Sequence, residues 1–247
     1  MRVVGIDTAT STASVALIED GRLISEIIHP AHASVGNANR VNNRGNHAET
    51  ILPLLETLFA GSEVSLRDIH GLALSIGPGS FTGLRIGLST VKGLAYGWRL
   101  PVVGVSTLLA HAARVIDYNG LICSLLDARK SEVYAALFEK TDCVFKRLTQ
   151  DMVSSIADAV TRVGNLQAGV PCLFVGVGAH IHRRLLLDLP GARVLSEATQ
   201  LSSPTVAAAV ARLSERQFRS NQVEDLGALT PVYIRPPEAE FKRRSLV

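Results

Sequence analysis

The chain has 247 residues and a mass of 26.4 kDa, with 47% apolar and 19% charged residues, a composition that excludes disorder and allows one large or two smaller domains around a sizeable core. Lys and Arg total 25 against 22 Asp and Glu, a net charge of +3; with no dense basic stripe this permits contact with nucleic acid but does not argue for it. Apolar runs fall far short of the ~20 residues of a membrane helix, and Asp7 interrupts the opening, so neither a span nor a secretory leader is expected and the protein is expected to be cytoplasmic.

The opening reads as a three-strand meander: Val3 to Ile6, Ser14 to Ile18 and Leu23 to Ile28, with Asp20-Gly21 as a tight hairpin turn. Residues 30–46 carry five Asn and two Gly and read as a surface loop. Asn46 and Glu49 resemble a capping box before a helix. There Ile51, Leu52, Leu54, Leu55, Leu58 and Phe59 span an arc of about 160° at 100° per residue, wider than the stripe of a simple surface helix. Pro53 should kink that helix or reset its start. A strand at Gly71 to Ile76 leads through Gly77-Pro78-Gly79-Ser80-Phe81-Thr82-Gly83 into a helix ending near Trp98. A strand at Val102 to Val105 and a helix from Ser106 to about Ile116 follow.

The second half repeats this plan. Strands are expected at Leu121 to Leu126, Val133 to Phe138 and Val144 to Leu148. Asp151 is expected to cap a helix to about Val163. Then come a strand at Cys172 to Val175, a helix at Ala179 to Leu187, a short strand at Arg193 to Leu195 and a helix at Ser203 to Phe218. Each half opens on an apolar strand ending in an acid, Asp7 or Asp127. The fold class is therefore α/β, a duplicated unit of two lobes, each β-β-β-α-β-α-β-α. The lobes are expected at 1–105, with the loop 30–46 inserted, and at 106–247, with a C-terminal tail. A cleft between two such lobes is where a ligand or partner is expected.

Several residues carry candidate chemistry. Asp7, Thr8, Thr10 and Ser11 form a hydroxyl-rich turn after a strand, a setting suited to hydrated Mg²⁺ and phosphate; it resembles the first phosphate loop of the actin, sugar kinase and Hsp70 superfamily, with Ala9 where Gly is usual. Asp127 opens the matching turn of the second lobe, with Arg129 and Lys130 in place of glycines. Gly79 precedes a helix start that suits an anion, without the Gly-Lys-Ser/Thr of a Walker loop. Gly176 and Gly178 fit an adenosine loop. Gly83, Gly87, Gly93 and Gly97 each weaken a helix interior by ~0.8–1 kcal/mol, which close approach of another backbone would offset. The ordinary readings, a hairpin turn for each acid and packing glycines in the helix, stand beside these. Three widely spaced cysteines, Cys123, Cys143 and Cys172, suggest neither disulfides nor zinc, and no two of the seven histidines stand at i, i+4 on an expected helix, so no metal site is expected.

The segments IDTATSTASVAL at 6–17, NHAETILPLLETL at 46–58, GPGSFTGLRIGLSTVKGLAYG at 77–97, PVVGVSTL at 101–108, LLDARKSEVYAALF at 125–138 and PVYIR at 231–235 together resemble the bacterial TsaB (YeaZ) proteins of tRNA threonylcarbamoyladenosine biosynthesis. The resemblance implies two tandem ribonuclease H-like lobes of the actin/Hsp70 type. It implies a subunit with no active site of its own, essential to a complex that transfers a threonylcarbamoyl group to adenosine 37 of tRNA. Its implied partners are the catalytic TsaD and the ATPase TsaE, with tRNA met only through the complex. The catalytic relative holds its metal with His-x-x-x-His on the helix after the strand matching Val102–Val105; here those positions are Thr107 and His111, so no metal chemistry is implied.

On this reading the broad arc of the first helix and the Gly-lined second one form the partner surface: His47, Ile51, Leu54, Leu55 and Leu58 with Gly83, Arg85, Gly87, Thr90, Val91 and Leu94. Without its partner the chain should form a homodimer. No cofactor is expected to bind tightly; ATP or ADP with Mg²⁺ is expected only weakly and in the complex. The alternative is a small ATP-dependent phosphotransferase of the sugar kinase superfamily. It accounts for Asp7 and Asp127 but requires ATP turnover by the isolated chain.

Overall fold

The structure is a computed structural model that describes residues 1–29, 47–166, 170–189, 191–194 and 205–235. The loop at 30–46, Asn46, Leu195, Ser203 and the tail beyond Arg235 lie outside the described residues. Two compact units form: Met1–Ser106 with Ser203–Pro231, and Thr107–Ser202 with Val232–Val247. Among the described residues no helix is long and apolar enough to cross a membrane.

The first unit holds a five-stranded sheet. β1 (Arg2–Asp7), β2 (Ala13–Glu19) and β3 (Arg22–His29) pair antiparallel, while β4 (Gly71–Gly77) and β5 (Val102–Ser106) run parallel to β1, in the order β3-β2-β1-β4-β5. Because side chains alternate across a strand, Val4 and Ile6 of β1 enter one core with α1 (His47–Ser62) and α2 (Phe81–Trp98), while Gly5 lies against α7 (Val206–Arg219) on the other face.

The Asp20-Gly21 turn forms as the sequence indicates. Both residues have positive φ, 47° and 79°, which glycine tolerates without steric cost. The turn is held by α7: Gly21 N–H donates to Glu215 Oε1 at 2.8 Å, and Arg219 Nη2 donates to Asp20 Oδ1 at 2.7 Å. α1 begins six residues before Pro53 and continues past it, so Pro53 does not reset the start.

The second unit has a six-stranded sheet in the order β11-β10-β6-β7-β8, with β9 also paired to β7. Its strands are β6 (Gly120–Asp127), β7 (Glu132–Thr141), β8 (Val144–Arg147), β9 (Met152–Ser155), β10 (Cys172–Val175) and β11 (Ala192–Val194). Ile122 and Leu126 of β6 pack with α3 (Thr107–Ala113), whereas Leu121, Cys123 and Leu125 pack with α4 (Ile156–Leu166), α5 (Val177–Ile181) and α6 (Arg183–Leu187).

Three sequence expectations change. Asp151 does not cap a helix: β9 comes first, and Ser155 Oγ accepts from Asp158 N–H at 3.1 Å to start α4. The helix expected at 179–187 breaks at His182 into α5 and α6. The second lobe is not 106–247, because 203–231 belong to the first unit. There Thr205 caps α7, with its hydroxyl accepting from Ala208 N–H at 3.2 Å and donating to Glu26 of β3 at 2.6 Å.

Candidate functional site

In the first unit, the turn after β1 and the loop before α2 meet in one buried polar knot. Asp7 and Thr8 are buried, Thr10 is half-buried and Ser11 is exposed. Asp7 Oδ1 accepts from Ala9 N–H at 3.3 Å. Thr8 Oγ1 donates to the Gly83 carbonyl at 2.8 Å. Thr10 Oγ1 stands 3.1 Å from Thr12 Oγ1 and accepts from Thr12 N–H at 3.4 Å. Ser80 N–H donates to the Ala9 carbonyl at 2.7 Å, and its hydroxyl caps α2 by accepting from Gly83 N–H at 3.2 Å.

Two glycines permit this approach: a Cβ at Gly79 would overlap the Ala9 carbonyl, and one at Gly87 would overlap Thr8 Oγ1. The structure thus brings Asp7, Thr8, Thr10 and Gly79 together. The Thr8 hydroxyl ties the turn to α2, however, and Gly79 presses on the Ala9 backbone, where a phosphate cradle needs open N–H groups. These residues do not fit a backbone-held nucleotide phosphate.

In the second unit, the Asp127 turn is exposed and sharply wound. Asp127 Oδ1 accepts from Arg129 N–H at 2.8 Å. Arg129, Lys130 and Ser131 all have left-handed φ, 61°, 53° and 60°, a conformation costing L-residues about 1–2 kcal/mol each. Arg235 clamps this turn: Nη1 donates to the Ala128 carbonyl at 3.1 Å, and the guanidinium pairs with the Glu132 carboxylate. Sequence reasoning assigns Arg235 no role; the signal is its place at the end of PVYIR, just before two prolines. Gly176, at φ 93°, and Gly178 sit against the Leu125 backbone, so both seat α5 on β6.

The expected partner surface needs correction. Ile51, Leu54, Leu55 and Leu58 of α1 and Val91 of α2 are buried in the unit's own core against β1, β2 and β4. Gly83 and Gly87 are buried too. The wide apolar arc reflects a helix packed on its own sheet. His47 is the first residue of α1. Arg85 is exposed, with its guanidinium 3.8 Å from the centre of the Phe81 ring, and Thr90 and Leu94 are half-buried. The outward surface carries other residues: Leu52 at 49% exposure on α1, Tyr96 at 83% on α2, and Gly93 and Gly97, whose Cβ positions meet open space.

Thr107 and His111 are buried in α3. Burial, and secondarily the charge of Arg114, pushes the His111 imidazole down to about 3. Among the described residues neither His111 nitrogen has a hydrogen-bond partner, and no three His, Cys, Asp or Glu side chains form a metal-binding group.

Residues 38–241 match the family described as TsaD: tRNA N6-adenosine threonylcarbamoyltransferase. A Bacillus subtilis protein named tRNA threonylcarbamoyladenosine biosynthesis protein TsaB is 28% identical over 98% of this chain and 97% of its own length. The Escherichia coli protein of the same name is 40% identical over 58% of this chain and 57% of its own length. In structure, YeaZ from Pseudomonas aeruginosa matches with a TM-score of 0.73 and 24% identity, over 94% of this chain and 99% of that one. That likeness shows the fold, an α/β chain with two mixed sheets.

Proposed function

The chain belongs to the family of TsaD, tRNA N6-adenosine threonylcarbamoyltransferase, on its TsaB (YeaZ) side, and on that premise we propose that it is the partner subunit that supports threonylcarbamoyl transfer to tRNA without catalysing it. One observation carries this reading: the match to the Bacillus subtilis TsaB protein runs nearly the full length of both chains. The polar knot agrees with it. Thr8, Gly79 and Gly87 tie the first turn to α2, and Gly178 seats α5 on β6, where a phosphotransferase would present these groups to nucleotide.

The subunit pairs with TsaD and, through it, with the ATPase TsaE, and forms a homodimer alone. Its contact surface is the outward side of α1 and α2, where Leu52 and Tyr96 offer apolar area and Gly93 and Gly97 let another helix approach. Any ATP or ADP with Mg²⁺ binds weakly and only within the assembly. Reconstitution of tRNA modification with each component omitted in turn is the test. Omission of this chain should abolish product formation, while the chain alone, or with ATP and tRNA, should form none. Product made by the other components without it would refute the proposal.

A further inference from the structure

α5 and α6 are each about one turn long, and His182, at φ −99° and ψ 19°, closes the first and opens the second. The break spreads neighbouring side chains around a concavity of ≈ 410 Å³ lined by His180, Ile181, His182, Arg183, Arg184 and Leu185. Four of these six residues are basic. His180 and Arg184 are exposed, and His182 and Arg183 are half-buried. Among the described residues, none of the four side chains takes part in an ion pair or a side-chain hydrogen bond. Across Val177–Leu189 the only acid is Asp188.

The mounting is stiff. Gly178 sits with its Cβ position 2.9 Å from the Leu125 carbonyl carbon, and Ala179 and Leu186 are buried in the core beneath. A concave, rigidly held group of unpaired guanidinium and imidazole donors suits an extended anion whose charges are spaced along a chain. Guanidinium meets phosphate oxygens through paired N–H bonds, and such contacts position nucleic acid without reading its sequence.

We propose that this surface of the second unit grips the phosphate backbone of the tRNA during modification. The inference rests on the partner-subunit reading and extends it: the chain would contact the substrate directly as well as through TsaD. An acidic protein segment docking on the same residues is the competing outcome.

Anisotropy of end-labelled tRNA, titrated with the full chain and with the chain assembled with TsaD, tests this. The double variant Arg183→Ala/Arg184→Ala should lose about tenfold or more in affinity near 100 mM salt. Its slope of log affinity against log salt should shrink by about 0.7–0.9 per cation removed. The control Arg67→Ala/Arg99→Ala removes two exposed cations from the first unit and should change neither value. His182→Arg should tighten binding several-fold. If the double variant fails to fold, Arg184→Ala alone carries the test, since that side chain is exposed.

Equal losses in patch and control variants would overturn the inference, as would unchanged binding. Loss of TsaD capture with tRNA binding intact would reassign the surface to a protein. A wild-type chain that captures TsaD and supports modification while the patch variant binds tRNA normally overturns this inference alone. A wild type that fails in capture and in modification overturns the partner reading as well.

Discussion

Gly87 of α2 lies directly against Thr8: a Cβ there would overlap the Thr8 hydroxyl, which itself donates to Gly83 at 2.8 Å. The glycine spacing of α2 therefore serves two surfaces, with Gly83 and Gly87 turned toward β1 and Gly93 and Gly97 turned outward.

From this follows a contrast between substitutions. Gly87→Ala should destabilise the protein by about 1–3 kcal/mol, as overpacking does, and Gly87→Leu by more. Gly93→Leu meets open space and should stabilise the chain in urea denaturation by up to about 1 kcal/mol, since it removes a helix-interior glycine, yet block assembly with TsaD on size exclusion. Normal heterodimer formation by Gly93→Leu would remove α2 from the interface.

Asp7→Ala should act on folding. Losing a buried carboxylate that accepts the Ala9 N–H should cost about 1.5–3 kcal/mol. Calorimetric titration of ADP into wild-type and variant complexes should give equal affinities. A tenfold weaker variant would restore the turn as a nucleotide site.

His111 imposes a pH dependence. Its folded pKa, about 3, lies below the ordinary histidine value of 6.5 because burial disfavours the charged ring. The unfolded chain therefore binds the extra proton first. The stabilisation is intact above pH 6.5 and is lost as pH falls toward the folded value, with a slope of at most about 1.4 kcal/mol per unit. Between pH 6.5 and 5, wild type should lose about 2 kcal/mol more than His111→Leu in urea denaturation. Parallel pH profiles would disprove it.

The left-handed turn gives a prediction of opposite sign. Lys130→Gly should stabilise by about 1 kcal/mol, because glycine accepts φ near 53° without the side-chain penalty. Arg235→Ala should loosen the turn and speed tryptic cleavage after Arg129 and Lys130. Equal cleavage rates would show that the clamp is dispensable.

Local signals in the sequence suffice where the physics is local. Asp20-Gly21 needed only its own backbone preferences, and the strands from β1 to β7 needed only short apolar runs between turns. The family motif GPGSFTGLRIG located the start of α2 for the same reason, since Ser80 caps it within three residues. Orientation was not local. The apolar arc of Ile51, Leu54, Leu55 and Leu58 says that α1 faces something apolar, and periodicity cannot distinguish its own sheet from a partner. The Asp7 turn is legible in the sequence but its contact with α2 is not, because Thr8 reaches a carbonyl 75 residues away. Arg235 closes the PVYIR segment, but its contacts lie over a hundred positions upstream.

The placement of α7 has a consequence for synthesis. Residues 205–231 cover the Gly5 face of β1 and hold the turn at Asp20-Gly21, yet they leave the ribosome only after the 107–202 segment of the second unit. Domains generally fold as units, N-terminal part first, during translation. Here the first unit cannot be completed early: its sheet must wait, one face bare, while residues 107–202 of the second unit are made. The nascent chain thus carries an exposed apolar sheet face while that segment is made, and a frameshift or premature stop anywhere before α7 strands the first unit along with the second.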